Sequence, residues 1–361
     1  MQITFSPPEK NELYSNLTKI LEKCRGEIPL SIDRIHGGGN NQIYKLRCGG
    51  NQNFIAKIYY QDKIDKRDRL KGEFSALEFM TQNQIEVVPK PIHCEKENNT
   101  AIYEFIDGER LATSEISSLQ IGQAAQFLIT LKNLTSKQGA KQIPLASEAC
   151  LSFSSLVENL ELRLHRFNHF EVLEKLDSQM IQYLEHDLKP TILTLKQWGL
   201  NYLIENNIDP KIEISFSQRT LSPSDFGFHN SLKLRTGQLV FFDFEYFGWD
   251  DPVKMISDFL LHPGMNLNQT QCFKFSEIIL PAFIGDPDFM IRFKAYYPLL
   301  AIKWCFIILN EFLKDQMERR KFAAVKSTSQ ISYKEVQLGK AKMMLNRILT
   351  EYKEIPYALS S

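Results

Sequence analysis

At 361 residues, with 43 basic side chains balancing 43 acidic ones and 43% hydrophobic positions, the chain has the composition of an ordinary globular protein. It is long enough for two domains or one large two-lobed unit. The charge balance argues against a nucleic-acid binder working through bulk charge and leaves room only for a local basic patch. In chain order, residues 11 to 24 carry Leu13, Leu17, Ile20 and Leu21 at helical spacing. Ile32 to Ile35, Gln42 to Arg47 and Phe54 to Tyr60 then read as three strands of a small antiparallel meander, separated by the turn sequences HGGGNN and CGGNQN.

Residues 66 to 82 return to helical spacing, and Lys90 to Cys94 and Ala101 to Phe105 read as two further strands. IDGERL, with Asp107 and Gly108, reads as a linker. Beyond it the pattern is mainly helical, with helices predicted over 118 to 134, 152 to 167, 170 to 184 and 189 to 205 and more to about 352. Short strands at 232 to 235 and 239 to 242, joined by Thr236 and Gly237, interrupt them. Leu299 to Leu309 is the most apolar helical stretch, but it holds Lys303 and Trp304 and is shorter than the roughly 20 residues of a bilayer span. A buried core helix is expected there, and no membrane span. The expected fold class is α+β: a small antiparallel β lobe with one helix over 1–106, a larger mainly α-helical lobe over 107–361, and a cleft between them.

Cys24, Cys48, Cys94, Cys150, Cys272 and Cys305 are scattered and form no CxxC pair, as free thiols in a reducing cytoplasm would be. MQITFSPPEKNELY lacks the basic start and apolar run of an export signal. A cytoplasmic location is therefore expected. GxxxxGK[ST] and GxSxG are absent, which sets aside a P-loop and a nucleophile elbow. His165 and His169 lie four apart but have no Cys or HExxH pattern to complete a zinc site.

LSPSDFGFHNSLKLRTGQLVFFDFEY, residues 221 to 246, concentrates polar groups among phenylalanines, where Asp and Asn pack poorly. Asp225 and Asn230 are five apart in a loop, and reversal at Thr236-Gly237 brings Asp243 back toward Asn230. An amide and a carboxylate so placed suit Mg²⁺, leaving Asp225 to orient a hydroxyl and accept its proton. An Asx-turn at Asp225 and a solvent-facing Asp243 is the competing reading. In the first lobe, Gly37, Gly38 and Gly39 with Asn40 form a turn whose backbone N–H groups can approach phosphate oxygens. Lys57, in the apolar run FIAKIY, needs an anionic partner if buried, and Glu73 on the following helix can supply it. A plain hairpin turn and a lysine snorkelling to water would also account for that region.

Glycine-rich loop, strand lysine, helix glutamate, loop aspartate and asparagine, and then a further aspartate occur in the order of a kinase-type phosphotransferase. From about residue 30 to about 310 the sequence resembles the aminoglycoside phosphotransferase and choline kinase-like small-molecule kinases, whose fold is protein-kinase-like. The resemblance rests on Asp225 through Asn230, which matches the HxDxxxxN loop, and on Asp243-Phe244-Glu245, which matches the D-x-D/E metal element. It implies ATP and Mg²⁺ as cofactors, Asp225 as catalytic base, Asn230 and Asp243 as metal ligands and Glu245 as an auxiliary group. YEFIDGERL resembles the inter-lobe hinge, where backbone groups of Glu104 to Ile106 would meet adenine, and GWDDP resembles the turn that follows the metal motif.

Two positions depart from the pattern: Pro223 stands where the loop histidine is usual, and Ser224 where glycine is usual. Proline would stiffen the turn by fixing φ. His229, inside the loop, could contact phosphate or substrate or simply pack. The implied acceptor is a small-molecule hydroxyl on a sugar, amino sugar or amino alcohol. IPYALSS offers no acidic tail for a polycationic drug, which ranks an aminoglycoside lower. Asp250 and Asp251 could favour a cationic acceptor, although two acids in a turn are usually solvated. The alternative of another class is a nucleotide-binding pseudokinase that regulates a partner.

Overall fold

Leu17, Ile20 and Leu21 recur on one face of helix α1 (Pro7–Arg25) and are buried against Ile32, Tyr44, Leu46, Phe54, Ala56 and Ile102 of a β-sheet. The computed structural model describes residues 7–35, 40–61, 67–168, 170–323 and 330–353. By internal packing the chain divides into two units. The first comprises Met1–Gly108, Val240–Glu245 and Met317–Lys326; the second comprises Glu109–Leu239, Tyr246–Gln316 and Ser327–Ser361.

In the first unit, β1 (Ser31–Ile35), β2 (Gln42–Arg47), β3 (Asn53–Ile58), α2 (Arg69–Gln82), β4 (Pro91–Glu95) and β5 (Thr100–Glu104) follow in chain order. The strands form one antiparallel sheet in the order β1-β2-β3-β5-β4, with Lys57 of the central strand opposite Ile43 on one side and Ala101 on the other. Alternation sends Phe54 and Ala56 into the α1 core and Lys57 to the other face. The strand expected to reach Tyr60 stops at Ile58. Its continuation is drawn into loop contacts: the Tyr59 N–H donates to Asn99 O, and the Tyr60 N–H donates to the Asn41 side chain at 3.2 Å.

The remaining elements are α3 (Ser118–Leu134), α4 (Phe153–His165), α5 (Lys175–Tyr183), α6 (Lys189–Glu205), β6 (Thr220–Ser222), β7 (Ser231–Lys233), β8 (Leu239–Phe241), β9 (Gly248–Asp250), α7 (Pro252–Leu261), α8 (Gln269–Ile279), α9 (Phe289–Leu309), α10 (Lys314–Ala323) and α11 (Gln330–Glu351). The helix expected from residue 170 begins only at Lys175. The Asp177 carboxylate accepts from the Leu173 and Glu174 N–H groups, both at 3.1 Å, and fixes the start there. GWDDP is a strand and a helix start rather than a turn. β9 pairs antiparallel with β6, and the Asp251 side chain caps α7 by accepting from the Val253 N–H at 2.8 Å.

The apolar stretch expected as a core helix is the C-terminal half of α9, which is buried against α4, α6, α7 and α11. Among the described residues no single helix is long and apolar enough to cross a membrane. The six cysteines are free.

Candidate active site

β6 leads into Pro223 and then Ser224, whose φ of 62° lies in the left-handed region that favours glycine. Two hydrogen bonds hold the serine there: its N–H donates to Ser222 Oγ at 3.2 Å, and its own Oγ donates to Tyr246 O at 3.2 Å. Asp225 follows. Its loop is closed by Asn230, whose Nδ2 donates to Asp225 O at 3.0 Å and leaves Oδ1 as the atom available to a cation. The phenylalanines between them anchor the loop: Phe226 stacks on Phe127 of α3 at 5.4 Å, and Phe226 and Phe228 each lie 5.8 Å from Phe259 of α7.

Asp225 Oδ1 is met by two imidazoles, His229 Nε2 at 3.0 Å and His262 Nε2 at 3.2 Å. Burial alone would raise the Asp225 pKa, but hydrogen bonds from His229 and His262 overcome this and hold the carboxyl well below the usual range. The two rings stack, with centroids 3.9 Å apart and planes inclined by 11°. His262 immediately follows α7, and burial and His229 together lower its pKa.

In the first unit, Lys57 Nζ lies 2.6 Å from Glu73 Oε2 and 2.5 Å from Asp243 Oδ1. Burial opposes its charge, but Asp243, Glu73 and Glu245 outweigh that and raise the ammonium's pKa well above its ordinary value. Burial pushes Glu73 up against the pull of Lys57. Glu73 also accepts from Tyr59 OH at 2.7 Å and from the Phe244 N–H at 3.3 Å, so both of its oxygens are held. Glu245 is buried; it accepts from Asn41 Nδ2 at 2.8 Å and has Arg69 Nη1 at 3.9 Å. Gly72 lets α2 approach, since a Cβ there would sit 3.2 Å from the Glu245 carbonyl oxygen. Asp243 itself has φ of 71°, a conformation that Asp tolerates better than most residues. Glu73, Asp243 and Glu245 each offer an oxygen within 4.8 Å of the others. The Asp243 and Glu245 carboxylates are oxygen donors that fit a hard cation of the Mg²⁺ kind, whereas Glu73 is already engaged by Lys57, Tyr59 and the Phe244 N–H.

Of the residues singled out in the sequence, Lys57, Glu73 and Asp243 thus come together in the first unit, and Asp225 and Asn230 in the second. Glu104 ends β5, where its Oε2 accepts from the Lys90 N–H at 3.1 Å, and Ile106 O accepts from Gly108 N–H in the segment beyond. Asn40 is half-buried just before β2. Gly37, Gly38 and Gly39 lie outside the described residues, as does His169.

Asp250 and Asp251 are not solvated. Both are fully buried: Asp250 pairs with Lys254 Nζ at 2.7 Å, and Asp251 with Arg292 at 3.1 Å. A buried chain continues from Lys254 to Asp258 at 3.0 Å, and Trp304 Nε1 donates to Asp258 at 3.0 Å. These acids build the second unit's core rather than a cationic acceptor site. Sequence reasoning missed Asn41, Arg69 and Tyr59 around the lysine cluster and His262 beside Asp225. Only the polar residues of the HGGGNNQ run, residues 36 to 42, could have hinted at Asn41, and nothing local marks His262.

This antiparallel sheet carries two helices, α1 and α2, rather than the one expected, and with a helical unit that bears an aspartate–asparagine loop it defines a kinase-like α+β fold. Solved structures share it. A choline kinase from Cryptosporidium parvum is 14% identical, with 96% of this chain and 98% of that one aligned at a TM-score of 0.59. The gentamicin-APH(2")-IIa complex is 16% identical, with 98% and 99% covered and a TM-score of 0.61. An AMP-bound spectinomycin phosphotransferase is 14% identical, with 91% and 98% covered and a TM-score of 0.61. No curated protein sequence matches the chain. The sequence pattern of the phosphotransferase enzyme family matches residues 31–260, and the chain belongs to that family. It is a kinase-type phosphotransferase of the small-molecule kinases.

Proposed function

We propose that this enzyme transfers the γ-phosphate of ATP, with Mg²⁺, to a hydroxyl of a small molecule such as a sugar, amino sugar or amino alcohol. The observation that carries the reading is Lys57, a buried ammonium held between Glu73 at 2.6 Å and Asp243 at 2.5 Å. A lysine kept charged inside a fold is suited to anionic phosphates, and Glu73 keeps it aimed while they bind. In this reading residues 1–106 form the nucleotide-binding lobe and 107–361 the catalytic and acceptor-binding lobe. Backbone N–H groups of Gly37, Gly38, Gly39 and Asn40 receive phosphate oxygens, and backbone groups from Glu104 to Ile106 receive adenine.

Asn230 and Asp243 would hold Mg²⁺, with Glu245 in support. When bound, the ion neutralises charge on the phosphate oxygens. Asp225 orients the acceptor hydroxyl and takes its proton. Two imidazoles on its Oδ1 hold this carboxylate in orientation, which suits a loose phosphoryl-transfer transition state, where orientation matters more than early proton removal. A cytoplasmic setting completes the reading and would keep the six free thiols reduced.

A nucleotide-binding pseudokinase is the second reading, favoured by Pro223 in the loop. ADP release from Mg²⁺-ATP over a panel of sugars, amino alcohols and aminoglycosides separates the two. Asp225→Asn is expected to lower turnover by about 10² to 10⁴-fold while leaving ATP affinity unchanged. Wild-type turnover in that variant would sink the mechanism, and ATP binding with no turnover on any acceptor would leave the pseudokinase.

A further inference from the structure

We infer that His262 is a positioning residue for Asp225, and that it commits the two carboxylate oxygens to different tasks: Oδ1 is held by imidazoles, and Oδ2 is left for the acceptor hydroxyl. The inference rests on the reading of Asp225 as the base. Both contacts to the carboxylate, His229 Nε2 at 3.0 Å and His262 Nε2 at 3.2 Å, fall on Oδ1. Pro223, two places before Asp225, carries no side-chain donor.

The proton on His262 is fixed by its surroundings. The Gly264 N–H donates to His262 Nδ1 at 3.0 Å, so Nδ1 presents its lone pair and the neutral ring carries its hydrogen on Nε2. Nε2–H then donates to Asp225 Oδ1. The same tautomer argues against a metal bound between Asp225, His229 and His262, although their ligand atoms lie within 4.8 Å of one another. A metal at Nε2 would need the lone pair that Gly264 has drawn to the opposite side of the ring, and the two rings are nearly parallel at 11°.

The ring is built into place. His262 has an 11% exposed side chain and is set edge-on to Trp304 at 4.6 Å between centroids, and the Trp304 indole is tethered to Asp258 at 3.0 Å. Glycines make room for both imidazoles. A Cβ at Gly264 would lie 3.0 Å from the His262 ring, and one at Gly227 would lie 3.0 Å from the His229 ring and 2.3 Å from Met265 Sδ. A carboxylate pinned through one oxygen cannot rotate freely about its Cβ–Cγ bond, so its other oxygen points in a reproducible direction.

The test compares His262→Phe, which keeps a flat ring but removes the donor, with His262→Gln, which restores an N–H near the Nε2 position. Turnover is read as ADP release from Mg²⁺-ATP with choline, ethanolamine, glucosamine, or water alone as acceptor. His262→Phe is expected to lose roughly tenfold or more in kcat with the KM for ATP unchanged, His262→Gln to recover most of the loss, and His262→Phe to cost nothing further in an Asp225→Asn background. Wild-type kcat in His262→Phe, equal losses in Phe and Gln, or additive losses in the double variant would each overturn the inference. Imidazole ¹H–¹⁵N spectra of the wild-type protein need no variant to fold: the Nε2–H tautomer at His262 is expected, and Nδ1–H overturns it. Asp225→Asn at full speed, or a wild type that releases no ADP, would instead bring down the reading of Asp225 and this inference with it.

Discussion

Asp251 accepts from Arg292 Nε at 3.1 Å and Nη2 at 3.3 Å, while its Oδ1 also takes the Val253 N–H at 2.8 Å. Neither charge reaches water, since Asp251 is 0% and Arg292 2% exposed. The pair as a whole need not be more stable than two apolar residues, but removing Asp251 leaves the buried Arg292 with only Asp286, at 2.9 Å from Nη1, and α7 without its capping carboxylate. Asp251→Ala should therefore lower unfolding stability by about 3 to 5 kcal/mol. Urea denaturation measures it, and a midpoint equal to that of the wild type would show that the ion pair is not what holds α7 to α9. Residues of this kind were opaque in the sequence, which shows the charge of Asp251 but neither its burial nor a partner 41 positions away. Lys57 and Glu73 were legible because an ammonium in an apolar strand demands a carboxylate, and a nearby helix had one at a facing position. His262 was not, because its meaning depends on where α7 ends in space relative to Asp225.

At the scale of elements, the short strands β6 and β9 frame the loop from Asp225 to Asn230, with Thr220 opposite Asp250 and Ser222 opposite Gly248. Three-residue strands carry too little alternation to be read from sequence. What fixes β9 is a close approach: the Trp249 N–H donates to Pro144 O, and the Ala146 N–H donates to Trp249 O, both at 2.9 Å. A Cβ on Gly248 would meet Ala146 N at 2.4 Å and Pro144 O at 2.5 Å. Those are backbone atoms that no rotamer change can move aside. Gly248→Ala should accordingly cost roughly 2 to 4 kcal/mol through overpacking and lost bridge hydrogen bonds. Gly237→Ala is a useful contrast, because φ is 85° there but nothing lies within 4 Å of the added Cβ. Its strain should stay near 1 kcal/mol. Tryptophan fluorescence in urea, with Trp249 itself as the nearest reporter, ranks the two; a less stable Gly237→Ala would refute the steric account.

Across the whole molecule, the switch from a two-residue to a 3.6-residue hydrophobic period near residue 107 marked where sheet gives way to helices, and that much needs only local pattern. That Val240–Glu245 packs with the first unit, far along the chain from β3 and α2, is long-range information that no window of sequence contains. This packing puts Asp243 on Lys57 at 2.5 Å. A ligand that binds only the folded chain stabilises it by RT ln(1 + [L]/Kd), about 2.7 kcal/mol at a hundredfold excess over Kd. Mg²⁺-ATP should thus raise the melting temperature of the wild type and of Asp225→Asn by the same amount. Lys57→Met should lose most of that rise, compared with its own ligand-free melting point, because the variant also leaves Glu73 and Asp243 without their cation. Equal rises in all three proteins would mean that Lys57 does not meet the nucleotide. A rise that needs ATP but no Mg²⁺, in a protein without turnover, would shift the assignment to the pseudokinase.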